Sequence, residues 1–141
     1  MEKEEWKKIL QKQCKALEIE LEDKKQEQFY HYMELLQKWN ENINLTAITE
    51  PEEVLQKHFV DSLTIMPYIK NDEKVIDVGT GAGFPGIPLK IAKEEVEVIL
   101  LDALNKRIKF LEEVINQTKL SNIKTIHYRA EDAGINKQYR E

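Results

Sequence analysis

A glycine-rich turn between an apolar run and a helical pattern constrains this chain more than any other feature. Residues 75–86 read Val-Ile-Asp-Val-Gly-Thr-Gly-Ala-Gly-Phe-Pro-Gly, so four glycines fall within eight residues directly after a short β-branched run. Glycine accepts positive φ and has no Cβ to block an approaching ligand. The pattern predicts a strand, a tight turn and the start of a helix, whose free N–H groups and dipole favour negative charge on the ligand.

An acidic residue ahead of the glycines bears on which ligand this turn would take. Gly81, Gly83 and Gly86 match the G-x-G-x-x-G pattern of dinucleotide sites, where a helix dipole faces a pyrophosphate. The same segment also reads Asp77-x-Gly79-x-Gly81-x-Gly83. A carboxylate at a strand tip suits a ligand with an ammonium or a sulfonium group, and S-adenosylmethionine carries both. We therefore favour S-adenosylmethionine, with a nicotinamide cofactor and a purely structural turn as the alternatives.

Composition limits the class of protein. The chain has 141 residues, 41% hydrophobic and 33% charged, which is enough for one modest domain with a core. No apolar run approaches the ~18 residues of a membrane span, and no signal peptide opens the chain, so we expect a cytoplasmic protein that does not contact a membrane. Its single cysteine excludes an internal disulfide, and its scattered histidines predict no metal site.

The charge distribution argues against broad affinity for nucleic acid. Net charge is −5; residues 1–72 hold 15 acidic and 10 basic side chains, and residues 73–141 hold 11 of each. Phosphate binding normally requires a basic excess or patch. Any contact with RNA must therefore be local.

The hydrophobic pattern changes period near residue 73, and this divides the chain into two predicted parts. Residues 1–72 form a helical segment with helices at 3–19 and 21–40 and a third from Thr49 to Pro67, capped by Thr49 and Glu52. Residues 73–141 alternate between strand and helix patterns. The predicted elements are strand 74–78, helix 86–93, strand 96–101, helix 105–118 and strand 123–128. This order predicts an α/β fold with a parallel, right-handed βαβαβ sheet behind the helical segment.

Acidic residues follow the ends of all three predicted strands. In an open parallel sheet, ligands bind beyond the carboxyl ends of the strands. Asp77 and Asp102 close the first two strands, and Glu131 follows the third. Asp102 has the usual spacing from the glycines for a carboxylate that binds a ribose diol, and Glu131 or the backbone near Ala130 would reach an adenine edge. No nucleophile motif is present, which agrees with transfer of a methyl group from an already activated sulfonium.

His58, Asp61 and Ser62 form a polar group on the third predicted helix. The spacing of three and four residues places them on neighbouring faces, so they could line one cleft. A local hydrogen-bonded group within the helix is the alternative, and both interpretations stay open.

With these motifs together, the chain resembles the RsmG family (glucose-inhibited division protein B), which are S-adenosylmethionine-dependent methyltransferases of small-subunit ribosomal RNA. The resemblance covers nearly all of the chain. The matching motifs are Asn44-Leu45-Thr46, His58-x-x-Asp61-Ser62-Leu63, the segment from Asp77 to Gly86, Asp102-x-x-x-Lys106-Arg107-x-x-Phe110-Leu111 and Arg129-Ala130-Glu131.

The resemblance implies a class I methyltransferase (Rossmann-like) sheet and methylation of a guanine at N7 in 16S ribosomal RNA. Gly79 and Phe84 would line the cofactor loop, Asp102 would bind the ribose, and Ala130 and Glu131 would bind the adenine. No catalytic residue is implied.

The resemblance also implies a contact with ribosomal RNA or the small ribosomal subunit. Lys106 and Arg107 open a helix beside the predicted site and would meet phosphates, unless they are only a solvated helix face. Arg129 would contact RNA or cofactor.

Family members continue well past the end of this sequence, so we expect a C-terminally truncated version with only the first part of the sheet. The edge of strand 74–78 would then be uncovered, which favours pairing with another chain and predicts either a truncated product or a homodimer. A fragment that only binds cofactor or ribosome is the alternative function.

Overall fold

The computed structural model describes residues 1–128, which form helices packed with a three-stranded parallel sheet. Two long helices come first, α1 (Lys3–Ala16) and α2 (Asp23–Asn40). The third helical stretch, residues 51–63, consists of α3 (Pro51–Glu53), a π-helical part (Val54–Val60) and α4 (Asp61–Leu63), and a 3₁₀ turn follows at Met66–Tyr68. The rest alternates as β1 (Lys74–Val78), α5 (Gly86–Ala92), β2 (Glu97–Asp102), α6 (Asn105–Thr118) and β3 (Ile123–His127).

The sheet confirms the predicted parallel βαβαβ unit. β2 lies in the centre, with β1 on one side and β3 on the other. In this register Val78 pairs with Leu101, and Asp102 pairs with His127. The three strands therefore end at the same edge of the sheet, and the loops that follow β1 and β2 meet there.

Several boundaries and one cap differ from the predictions. The third helical stretch ends at Leu63 rather than at Pro67, β2 spans residues 97–102 rather than 96–101, and α5 and β3 each end one residue early. The first helix ends at Ala16 rather than at residue 19, because Glu18 has a φ of 61°, outside helical geometry. The second begins at Asp23 rather than at residue 21. The predicted cap at Thr49 is wrong: Glu50 precedes α3 without any side-chain cap, while the Thr49 carbonyl accepts a hydrogen bond from Gln37 Nε2 at 2.8 Å.

A single hydrophobic core joins the helical segment to the sheet and its helices. Its fully buried members come from both parts and include Trp6, Phe29, Tyr32, Phe59, Ile87, Leu100, Phe110 and Val114. Burial of one such side chain contributes about 1.5–3 kcal/mol, so these contacts hold the two parts together. Within residues 1–128, no helix combines the length and the apolar character needed to cross a membrane.

One edge of the sheet is open within the described residues. In residues 1–128, β1 pairs only with β2, and its last residue, Val78, is 62% exposed. Unpaired N–H and C=O groups along such an edge can accept a further strand. This agrees with the predicted open edge; the division of the chain after residue 72 stays a prediction.

Candidate cofactor site at the carboxyl ends of the strands

The glycine loop, residues 79–86, leaves the end of β1 and crosses in front of β2. Thr80 N–H donates to the carbonyl of Leu101 at 3.0 Å, which ties the start of the loop to the neighbouring strand. The backbone then turns through three positive φ values, at Gly79 (67°), Gly81 (63°) and Gly83 (98°). These conformations cost other L-residues roughly 1–2 kcal/mol each, which is the local reason for glycine at these three positions.

The four glycines divide into an open pair and a closed pair. A Cβ at Gly79 or Gly81 would meet no atom within 4 Å, so these two positions face open space. A Cβ at Gly83 would lie 2.6 Å from the hydroxyl of Tyr32, and one at Gly86 would lie 2.5 Å from the side chain of Leu100. Only the first pair leaves room for a ligand on the Cβ side, while the second pair gives room to the protein itself.

Asp77, the second-last residue of β1, supports the loop. Its Oδ2 accepts hydrogen bonds from Thr80 Oγ1 at 2.7 Å and from Gly86 N–H at 3.0 Å. Burial raises the pKa of Asp77, with a smaller contribution from the charge of Asp102, and the two hydrogen bonds oppose that rise. No Lys or Arg within residues 1–128 pairs with this carboxylate, so its negative charge is balanced only by dipoles.

Asp102 supports the other side of the same loop from the end of β2. Its Oδ2 accepts from Gly81 N–H at 2.8 Å and its Oδ1 from Leu104 N–H at 3.0 Å. Arg107 Nη1 lies 3.5 Å from Oδ1. The side chain is 2% exposed, so in this conformation the carboxylate that was predicted to bind a ribose is covered and bonded to the loop at Gly81.

The helical segment contacts the loop from the opposite direction. Tyr32 of α2 donates a hydrogen bond from its hydroxyl to the carbonyl of Ala82 at 2.5 Å. The ring of His58 stacks on the ring of Phe84, with centroids 4.3 Å apart and planes 14° apart. Thr46 Oγ1 lies 2.8 Å from His58 Nε2, which extends the contact to the connector after α2. The glycine loop therefore lies between the sheet and the helical segment and is held by hydrogen bonds or ring contacts on both sides.

Comparison with known proteins identifies the family. The family model for rRNA small subunit methyltransferase G matches residues 25–140, which is most of the chain. This chain belongs to that family. Similar proteins include the ribosomal RNA small subunit methyltransferase G of Clostridium perfringens (strain 13), 52% identical over 135 residues, and that of Alkaliphilus oremlandii, 51% identical over 139 residues.

These alignments cover 94% and 97% of this chain but only 56% and 58% of the two relatives, so the chain spans a little more than half of their length. A solved structure from Plasmodium falciparum shows the fold. It is described as a protein-L-isoaspartate O-methyltransferase in complex with S-adenosyl-L-homocysteine. This chain and that structure superpose with a TM-score of 0.52 at 21% sequence identity, and the match covers 94% of this chain and 66% of that one. The fold class predicted from the family resemblance, a class I methyltransferase sheet, is thereby confirmed.

The structure places the family's His58-x-x-Asp61-Ser62 motif partly against the loop and partly in local contacts. Ser62 Oγ donates to the backbone carbonyl of His58 at 2.5 Å, as the local alternative expected. Asp61 is exposed, whereas His58 is half-buried against Phe84. Burial lowers the pKa of His58, and the negative charge of Asp61 opposes this. The exposed side chain of Asp61 and the local hydrogen bond of Ser62 do not form one cleft with His58, whose ring is the part of the motif that stacks on Phe84 of the loop.

The predicted RNA-contacting residues are separated by the fold. Lys106 is exposed in the first turn of α6, but Arg107 is half-buried and directed toward Asp102. Arg129, Ala130 and Glu131 lie outside the described residues, so their predicted roles stay predictions.

Tyr32 is the contact to the loop that sequence reasoning missed. Its position in the α2 pattern predicts a core residue, and it is fully buried. A buried tyrosine hydroxyl usually needs a hydrogen-bond partner, which is the signal in the sequence that a polar contact exists. The sequence does not show that this partner is Ala82, 50 residues away.

Proposed function

We propose that this chain is the S-adenosylmethionine-binding part of an enzyme that methylates N7 of a guanine in 16S ribosomal RNA. The observation that carries the proposal is the pairing of two carboxylates, the half-buried Asp77 and the buried Asp102, with a loop whose Gly79 and Gly81 face open space. Membership of the rRNA small subunit methyltransferase G family supports the reaction and the RNA substrate. The complex of the structural neighbour with S-adenosyl-L-homocysteine supports the cofactor.

Electrostatics at the loop favours a cationic ligand. Keeping Asp77 ionised is costly because it is half-buried, and among residues 1–128 no cationic side chain pairs with it. Strained or costly charges of this kind concentrate at functional sites. A ligand with a sulfonium or ammonium group near the strand end lowers that cost, whereas the pyrophosphate of a nicotinamide cofactor raises it.

The surroundings of the loop also suit an adenosine group. Val78, the last residue of β1, and Leu104, which follows the end of β2, are 62% and 51% exposed and present apolar surface beside the open glycines. Asp102 already holds two backbone N–H groups, but a carboxylate has about four acceptor positions. Binding a ribose diol there requires the N–H of Gly81 to share or release Oδ2.

Positioning is the main task left to this chain. Bound S-adenosylmethionine supplies an activated methyl group, and N7 of guanine carries a lone pair, so no general base is required. The loop, Asp77 and Asp102 would hold the donor, and orientation of donor and acceptor lowers the barrier. Cofactor contacts at Phe84, Ala130 and Glu131 are part of this proposal, as is one at the backbone of Gly83, whose Cβ side is filled by Tyr32; no catalytic residue is assigned.

Contact with RNA is proposed to be local, through a few basic side chains, and the protein is proposed to be cytoplasmic. Lys106 is exposed beside the site, and Arg129 and Arg107 are further candidates for phosphate contact.

Since the chain covers little more than half of its relatives' length, a cofactor-binding fragment without transfer activity is the second candidate function. A homodimer through the open edge of β1 is proposed as the assembly that would cover that edge.

Calorimetry with the 141-residue chain tests the cofactor. We expect S-adenosyl-L-homocysteine and S-adenosylmethionine to bind and NAD to give no heat. Methyl transfer to small-subunit RNA from a strain lacking the modification, read by mass spectrometry for 7-methylguanosine, then separates the enzyme from the binding fragment. Binding of NAD in place of S-adenosyl-L-homocysteine would overturn the proposal, and size-exclusion chromatography that shows a monomer would overturn the dimer.

A further inference from the structure

Tyr32 is the polar group of the helical segment that reaches the backbone of the glycine loop. Its hydroxyl donates to the carbonyl of Ala82, the residue between the second and third glycines. The N–H of the same peptide unit, at Gly83, donates to the carbonyl of Thr80 at 3.0 Å. Both ends of this peptide unit are therefore fixed, so its plane cannot rotate without breaking one of the two hydrogen bonds.

The position of Tyr32 depends on Gly83. The hydroxyl oxygen lies only 2.6 Å from the position that a Cβ at residue 83 would take. Gly83 is buried and has a φ of 98°. The absence of a side chain at this position thus admits a side chain from a different part of the chain, rather than a ligand.

The ring of Tyr32 is held without help from its hydroxyl. It stacks on Phe59 with centroids 5.0 Å apart and planes 23° apart, and it lies 5.8 Å from the ring of Phe84 and 6.4 Å from that of Phe110. Burial raises the pKa of the hydroxyl, and the charge of Asp77 raises it further, so the group stays a donor at neutral pH. Replacement by phenylalanine therefore removes one hydrogen bond and keeps the packing.

We propose that Tyr32 is a positioning residue of the cofactor site, which holds the glycine loop in its binding conformation through the Ala82 carbonyl. This inference rests on the proposed function, because it assigns cofactor affinity to the loop. The helical segment thereby contributes a positioning residue to the site, in addition to Asp77 and Asp102 on the sheet side. Tyr32 does not touch the reacting atoms; it acts through the conformation of Gly81 and Gly83.

The test measures affinity and loop protection in the same variants of the 141-residue chain. For Tyr32→Phe we expect the Kd for S-adenosyl-L-homocysteine to rise about tenfold, equivalent to about 1.4 kcal/mol. Amide hydrogen exchange in residues 79–86 should become faster, while exchange in α1 and β2 stays as in the wild type.

Two control variants separate positioning from general stability. Tyr30→Phe removes the hydroxyl of a half-buried tyrosine on the same helix, whose ring contacts Trp6 instead of the loop. Leu36→Val loosens the buried side of α2 without touching the loop hydrogen bond. Both controls should keep the wild-type Kd at a temperature where all variants are folded by circular dichroism.

Each outcome decides something definite. Wild-type affinity and wild-type loop exchange in Tyr32→Phe would overturn the inference, and so would an equal loss of affinity in Leu36→Val. A wild-type chain that binds no S-adenosyl-L-homocysteine would overturn the proposed function together with the affinity part of this inference. Loop exchange would still show whether Tyr32 fixes the loop.

Discussion

The two sides of the glycine loop are held by different chemistry. On the sheet side, Asp77 and Asp102 accept hydrogen bonds from the loop with ionisable oxygens. On the helix side the contacts are the Tyr32 hydroxyl and the stack of His58 on Phe84, which carry no formal charge when His58 is neutral. Carboxylates can exchange a backbone donor for a ligand hydroxyl or a cation, and aromatic packing cannot. The comparison assigns ligand chemistry to the sheet side and loop shape to the helix side.

The closed glycines should show the largest effect. Gly83→Ala places a Cβ 2.6 Å from the Tyr32 hydroxyl and 2.7 Å from Ile87 at a φ of 98°. Overpacking together with the backbone penalty should lower the free energy of unfolding by about 2–5 kcal/mol in urea titrations. Gly79→Ala is the matched control, since it has the same kind of φ in open space; it should cost about 1–2 kcal/mol. Equal losses in both variants would contradict the division into closed and open glycines.

Removal of charge from Asp102 should have the next largest effect. Its two oxygens each accept from a different backbone N–H, at Gly81 and Leu104. In Asp102→Asn one of these donors loses its acceptor, which should lower the free energy of unfolding by about 1–3 kcal/mol. Thermal unfolding followed by circular dichroism measures this loss. An unchanged melting temperature would mean that the stability of the fold does not depend on hydrogen bonds to both oxygens of Asp102.

The helix side should show its own pH dependence through His58. Burial lowers the pKa of His58 below its ordinary value of 6.5, so the folded protein binds fewer protons at this site than the unfolded chain. The stability contribution is complete above the unfolded pKa and is lost as pH falls through the folded pKa. The negative charge of Asp61, which faces this ring, opposes the lowering of the His58 pKa.

Urea titrations at a series of pH values measure this loss in the wild type. His58→Gln should show a smaller decline between neutral and mildly acidic pH, whereas His31→Gln on α2 should leave the decline unchanged. A decline that is the same in all three chains would exclude His58 as its source.

The smallest effect on stability, with a large effect on binding, is expected for Asp77. Both of its hydrogen bonds go to one oxygen, Oδ2, so the amide oxygen of Asp77→Asn can accept both. Because the folded pKa is raised, the ionised wild type loses stability as pH rises through that pKa, and the variant escapes this loss. Its melting temperature at neutral pH should equal or exceed that of the wild type.

Affinity for S-adenosylmethionine should nevertheless fall in Asp77→Asn, because the charge that favours a cationic ligand is gone. Asp72→Asn, an exposed charge removal before β1, is the control and should change neither quantity. Unchanged calorimetric affinity in Asp77→Asn would remove Asp77 from the ligand side of the comparison.

Local pattern was enough for the elements of the α/β part. β1 at Lys74–Val78 and α6 at Asn105–Thr118 have the predicted bounds, because a short β-branched run and a regular apolar stripe depend only on neighbours in sequence. The end of the first helix, the start of the second, the end of the third and the cap at Thr49 were wrong, since those depend on which partner the backbone finds in the folded chain. The π-helical part at Val54–Val60, which carries His58 and Phe59, has no sequence signal that we used.

The sequence by itself determined the glycine loop, the acids Asp77 and Asp102 at the strand ends and the order of strands and helices along the chain, because each follows from residue types at short spacing. Tertiary structure alone decided which glycines stay open and which are filled by Tyr32 and Leu100, and that Asp102 is covered and bonded to the loop. The reason is physical: these outcomes are set by close contacts between segments up to 50 residues apart, such as Tyr32 and Ala82. Spacing along the chain carries no information about such contacts until the core has packed.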